Sequence, residues 1–144
     1  PSFGNTGGSL YELFQDNQHY PIIKNLEESL KKLLIKTFNS DIFIEESFFS
    51  IFGSGGGTRL HNHISLRDKD PILSLGKQKY SLVYYLSIGD QECSDPGILK
   101  LYEPNEDILP TKGLIAIFPS DRNHSSVYGG NKDRVIIGVN FYCL

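Results

Sequence analysis

From residue 42 to the C-terminus the chain has almost no helical rhythm. Short runs rich in Ile, Val, Phe and Tyr take its place: IFIEESFFSIF (42–52), KYSLVYYLSI (79–88), GILKLYE (97–103), GLIAIFP (113–119) and RVIIGVNFYCL (134–144). Such side chains suit a pleated, half-buried surface, and the Gly, Pro, Asn and Asp between the runs supply turns. A chain patterned this way must close strand on strand, as a sandwich or a barrel. The strong helical signal lies ahead of the strands, in PIIKNLEESLKKLLIKTF (21–38). Ile23, Leu26, Leu30, Leu33, Leu34 and Phe38 make one apolar stripe, with Glu and Lys opposite. Pro21 suits a helix start and FNSD a stop. This helix is expected to cover one face of the strand set, while PSFGNTGGS at the N-terminus reads as a loose lead-in.

The length of 144 residues predicts one domain, with 1–40 as helical support and 41–144 as the β core. A net charge of -3 implies no broad cationic surface for nucleic acid. The longest apolar run is far too short to span a bilayer, so no membrane partner is expected. Two cysteines, Cys93 and Cys143, make no disulfide framework, and nothing reads as a signal peptide; a cytoplasmic setting is expected. The chain begins at Pro1 and has no Met, which predicts a processed protein or a piece of a longer one.

Residues 57–66, GTRLHNHISL, carry the chemistry-bearing pattern. If RLHNH is extended, His61 and His63 share one face, roughly 6.5–7 Å apart at Cα, and Asn62 points away. Two such imidazoles can converge on one metal ion. His124, in FPSDRNHSSVY, is expected in a turn just past a buried strand, where it would complete a facial set of three. His19 has no partner in the sequence. The letters HNH also name a nuclease motif, but that fold needs a helix next, and ISLRDKDPILSLGKQKY carries Pro71, Gly76 and little helical periodicity. GSGGG (53–57) lacks the Lys-Ser/Thr ending and following helix of a phosphate loop; a close-approach turn is expected.

Arg134 opens the last run. On an extended strand it shares a face with Ile136, Gly138 and Asn140, with no carboxylate among them. A guanidinium partly buried there wants a carboxylate and can hold one through two parallel hydrogen bonds, so a ligand carboxylate is the expected partner.

In this order, H-x-H, YSLVYYLS, PGILKLYEP, GLIAIFPSDRNH and RVIIGVNFY, the segments of residues 42–144 resemble the iron(II)/2-oxoglutarate-dependent dioxygenases, most of all the prolyl-hydroxylase-like branch. The resemblance implies a mostly β fold: a double-stranded β-helix, or cupin-like jelly roll, with the N-terminal amphipathic helix packed outside. It implies that His61 and His124 bind Fe(II), that Arg134 holds the far carboxylate of 2-oxoglutarate, that the Tyr85 hydroxyl joins it, and that Gly138 leaves room for that co-substrate. The activity implied is O2-dependent hydroxylation of a C–H bond, in a prolyl-type peptide residue or a small molecule, with release of succinate and CO2. Arg59, Tyr84 and Asn140 are expected at the mouth.

The chain departs from the family pattern at His63, where Asp or Glu is usual. Three neutral histidines leave the Fe(II) shell at +2 instead of +1, which a dianionic co-substrate would balance. Such a shell also suits Zn, Ni or Cu. Asp68 or Asp70, just downstream, could swing in and restore a carboxylate. The departure leaves open two other readings: a catalytically silent jelly-roll binding module, and a three-histidine cupin-type dioxygenase that needs no 2-oxoglutarate.

Overall fold

The apolar runs all form strands, and they wind into a jelly roll. The structure is a computed structural model that describes residues 2–144. In chain order its elements are β1 (Ser2–Phe3), β2 (Thr6–Gly8), α1 (Pro21–Phe38), β3 (Ile42–Phe52), β4 (Gly56–His61), β5 (Lys79–Ser87), β6 (Leu99–Leu101), β7 (Glu106–Ile108), β8 (Ile115–Pro119), β9 (His124–Tyr128) and β10 (Arg134–Cys143). Among the described residues they make two five-stranded sheets, ordered β1-β4-β9-β6-β7 and β2-β3-β10-β5-β8.

The pairing has a simple logic. β3 pairs with β10, β4 with β9, β5 with β8 and β6 with β7, all antiparallel. The eight strands are thus one long hairpin with its tip between β6 and β7. Wound up, its successive segments fall alternately into the two sheets. Cross-pairing of β10 with β5 and of β9 with β6 closes each sheet.

Alternation along the strands sorts the two faces of the β2–β8 sheet. Ile137, Val139 and Phe141 of β10, with Leu82 of β5, face outward and pack under Leu30 and Leu34 of α1. Inward, the registers set Glu46, Asn140 and Ser81 in one row, Phe48, Gly138 and Val83 in the next, then Ser50, Ile136 and Tyr85, with Phe52 beside Arg134. Leu99, Leu101, Ala116 and Phe118 fill the space between the sheets at the hairpin-tip end. The helix spans the predicted residues, ending at Asn39 in a left-handed cap. Leu33, assigned to its apolar stripe, is 40% exposed: the buried stripe runs through Leu30 and Leu34 and leaves Leu33 at its edge.

From Ser2 onward the expected loose lead-in is instead a strap across both sheets; Pro1 lies outside the described residues. β1 pairs with β4, and β2 pairs with β3. The glycine turn is its seat: Gly53 donates its N–H to the Asn5 carbonyl at 2.8 Å, and Gly57 donates to Thr6 Oγ1 at 3.1 Å. A Cβ at Gly56 or Gly57 would collide with backbone carbonyls of Asn5 or Ser126, so close approach explains the glycine run. Among the described residues no helix is long and apolar enough to cross a membrane.

Candidate metal centre

Two adjacent strands bring the first two imidazoles together. His61, the last residue of β4, lies directly across the ladder from His124, the first residue of β9, at an irregularity in the β4–β9 register. His124 therefore opens a strand and does not sit in a turn. His63 lies past the end of β4, held by its backbone N–H, which donates to the Ser120 carbonyl at 2.8 Å. Asn62 turns aside as expected: its amide donates to Asn123 Oδ1 at 3.2 Å and its Oδ1 accepts from the Ile64 N–H. It staples the two ligand-bearing segments and takes no part in a nuclease-like arrangement.

The ligand atoms of His61, His63 and His124 all lie within 4.8 Å of one another. Their ring centroids are 4.1–5.0 Å apart, and Nε2 of His63 is 3.2 Å from Nε2 of His124. At a metal–nitrogen distance of about 2.1 Å, two ligands at right angles are about 3 Å apart, so this separation fits one ion. Burial lowers the pKa of all three. The His63 value falls to about 3, with the neighbouring His124, His61 and Lys79 charges adding to the effect of burial. The His124 value falls to about 4, burial and His61 outweighing the Arg122 carbonyl. His61 is lowered by burial against the pull of the Arg59 carbonyl. All three rings are neutral at neutral pH, the state a metal requires. The donor set thus fits a first-row divalent ion.

No carboxylate joins them among the described residues. Asp68 is committed elsewhere: it is buried, accepts from Lys79 Nζ at 2.8 Å and from the Ser65 N–H and hydroxyl at 2.9 Å, and takes the Tyr142 hydroxyl. Burial alone would raise its pKa, but those hydrogen bonds, Lys79 first, hold it well below the usual range. Asp70 caps the Ile72 N–H at 2.8 Å. The swing considered for either residue is therefore not what the fold prepares.

Behind the histidines lies an inner cavity of about 90 Å³, lined among others by His61, His63, His124, Tyr85, Arg134 and Phe48. Arg134 is 2% exposed. Its guanidinium packs on the Tyr128 ring, 4.7 Å from the centroid, and lies 5.9 Å from that of Tyr85. Nε and Nη2 donate to the Ile88 carbonyl at 3.1 Å, Nη2 to Pro96 at 2.6 Å and Nη1 to Gly97 at 2.7 Å. Four hydrogen bonds thus go to the backbone of the β5–β6 connection, leaving one Nη1–H of the guanidinium's donors. The sequence indicated a carboxylate partner; the partners present are carbonyls of a connecting loop, brought by Gly97, where a Cβ would collide with the guanidinium.

Tyr85 points into the cavity, and its hydroxyl makes no hydrogen bond to the described protein groups. Burial pushes its pKa up to about 12, against the opposing Arg134 charge. Gly138, expected to leave room for co-substrate, leaves it to Phe48, whose ring a Cβ there would overlap. Of the residues expected at the mouth, Tyr84 packs outward among the α1 contacts, and exposed Arg59 lies over the Phe3 ring. Asn140 alone of the three faces inward, near His63. Sequence reasoning passed over Thr58, Ser126 and Phe48, all of which line the cavity. Ser126 was within reach, because it lies two residues beyond His124 on one strand face. A groove of about 520 Å³, walled by the β2 strap and by Phe48, opens onto His61 and His63 from outside.

No family model matches the sequence, and no curated protein matches it. Solved structures do match the fold. An oxidoreductase of the 2OG-Fe(II) oxygenase family from Burkholderia pseudomallei superposes with a TM-score of 0.62 at 12% identity, over 85% of this chain and 57% of that one. A Trichoplax adhaerens prolyl hydroxylase, in complex with a hypoxia inducible factor peptide, gives 0.69 at 21% identity, over 95% of this chain and 63% of that one. The fold is that of the 2OG-Fe(II) oxygenases. A viral collagen prolyl hydroxylase from Paramecium Bursaria Chlorella virus-1 gives 0.70 at 13% identity, over 97% and 80%. This chain spans less than two thirds of the length of the first two, and at these identities the likeness is one of architecture.

Proposed function

We propose that the protein is an Fe(II)/2-oxoglutarate-dependent oxygenase acting on a C–H bond of a peptide residue or a small molecule. One observation carries the reading: three neutral imidazoles and a buried guanidinium share one cavity in the oxygenase fold. His61, His63 and His124 would hold the metal. Fe(II) and 2-oxoglutarate, when bound, would supply O2 activation: O2 is the oxidant, with one oxygen atom going to the C–H bond and the other to succinate as CO2 is released. The protein's own part is positioning and exclusion of water. Arg134 contributes its charge and its remaining Nη1–H to the far carboxylate, and the unpartnered Tyr85 hydroxyl contributes a second donor. Thr58 and Ser126 add hydroxyls to the same wall. The inner cavity has the room of about three waters at about 30 Å³ each. A dicarboxylate enters once the Phe48 ring, which also walls the outer groove, turns aside. The groove beside His61 and His63 is the place for the substrate.

The carbonyls around Arg134 favour a second reading, a three-histidine dioxygenase that uses no 2-oxoglutarate. Anaerobic titration of the Fe(II)-loaded protein separates the two. The first reading predicts a weak visible charge-transfer band on adding 2-oxoglutarate, and succinate release under air. Metal binding with neither signal refutes it.

A further inference from the structure

We infer that Asn140 is a positioning residue that sets which nitrogen of His63 carries the hydrogen, and so gates the third metal ligand. The inference rests on the metal-site reading above and deepens it. Which ring nitrogen can bind a metal is decided by the hydrogen bond made by the other. Nδ1 of His61 faces the Arg59 carbonyl at 2.6 Å, and Nδ1 of His124 faces the Arg122 carbonyl at 3.3 Å. A carbonyl only accepts, so both rings carry hydrogen on Nδ1 and keep a lone pair on Nε2. His63 is wired the other way. Its Nδ1 faces the side-chain nitrogen of Asn140 at 3.4 Å.

The direction of that amide is fixed by its other partners. Asn140 Nδ2 donates to the Glu46 carboxylate at 3.0 Å, and a carboxylate ion cannot donate in return. Asn140 Oδ1 accepts from the Ser81 hydroxyl at 2.8 Å, which lies 2.9 Å from the Ser120 hydroxyl. Asn140, Ser81 and Ser120 are all within 2% of full burial, so the network has little freedom. Turned over, the amide would set its oxygen against the Glu46 carboxylate. Nδ1 of His63 therefore accepts, and its hydrogen resides on Nε2. That N–H points at the Nε2 lone pair of His124, 3.2 Å away.

Two imidazoles thus offer lone pairs, and the third offers a hydrogen at the atom a metal needs. His63 joins the metal only when its hydrogen moves to Nδ1 and the Asn140 amide turns over. Exposed Glu46 must then release the amide. The Asn140–Glu46 pair accordingly weakens the third ligand, at the position where the chain departs from the carboxylate pattern.

The test begins on metal-free protein labelled with 15N-histidine, read by long-range 1H–15N correlation at neutral pH. His63 is expected as the Nε2–H form, with His61 and His124 as Nδ1–H; an Nδ1–H signal from His63 overturns the inference. Next, Zn(II) affinity is compared by chelator competition between the natural protein and the double variant Asn140→Asp/Glu46→Gln. The double variant keeps net charge and gives His63 Nδ1 an acceptor. It is expected to shift His63 to Nδ1–H and to raise affinity by about 10–100-fold. A folded double variant with unchanged tautomer or unchanged affinity overturns the inference. Should the variant not fold, the spectrum of the natural protein still decides. If natural protein binds neither Zn(II) nor Fe(II), the metal reading fails, and the metal-free spectrum judges the wiring separately.

Discussion

Replacing Tyr85 with Phe removes one oxygen whose role the structure isolates. The ring is 4% exposed and remains in place. The hydroxyl has no protein partner among the described residues, so its loss leaves no donor or acceptor stranded in the fold. Stability should hold or rise, because a buried hydroxyl without a partner carries a desolvation cost of about 1–3 kcal/mol that the variant removes. Co-substrate binding should respond differently. A hydrogen bond to a charged group contributes about 1.5–3 kcal/mol, which is a loss of roughly 10- to 150-fold in affinity. The assay is anaerobic 2-oxoglutarate titration of Fe(II)-loaded protein, with a thermal melt of the same variant. Arg134→Met is the contrast. It strands the Ile88, Pro96 and Gly97 carbonyls, at about 1–3 kcal/mol each if buried, and should lower both stability and binding. An unchanged 2-oxoglutarate affinity in Tyr85→Phe would refute the assigned role. A melt lowered by several degrees would show that the hydroxyl has a structural partner after all.

Metal affinity should fall by less than tenfold per pH unit from pH 8 to pH 6, because His63 and His124, at about 3 and about 4, hold no proton to displace there and His61, lowered by burial, adds at most one; a fall of tenfold per unit or more across that range, by metal titration, contradicts this. The metal-free protein should lose stability as pH falls from about 6.5 towards 4, since the unfolded histidines bind protons that the folded ones refuse. Asp68, whose folded pKa is depressed, adds a further loss below about 4, as the unfolded carboxyl takes its proton first. Urea melts across that range read both, and a flat profile refutes them. Gly138→Ala should cost about 1–3 kcal/mol by pushing the Phe48 ring off its seat, measured by urea melt.

The helix and the long strands were legible because each carries its own periodicity: β3 and the helix start and stop where the residue patterns change. The shortest strands were not. EDI of β7 is mostly polar, and Thr6–Gly8 of β2 has little side chain; both are strands because a neighbour's edge pairs with them. The convergence of the three histidines followed from alternation plus a distant strand, although His63 lies beyond β4, placed by a backbone hydrogen bond that no side-chain pattern encodes. The inward face of Arg134 was readable from period two. Its carbonyl partners were not, because they belong to a loop whose path depends on Gly97 and on the folded barrel. Tyr84 and Tyr85 illustrate the limit in one dipeptide: alternation says that they diverge, and only the position of the helix says which one faces the cavity.

The wound hairpin bears on what an ion would do for the chain itself. His63 and His124 stand sixty-one positions apart, on opposite arms of that hairpin. An ion gripping both would act as a reversible cross-link around a large loop, and chain-entropy arithmetic for a closure of that size gives about 4 kcal/mol. Loading the centre would then fasten the two arms to each other, so resistance to unfolding would itself report occupancy in the absence of any substrate.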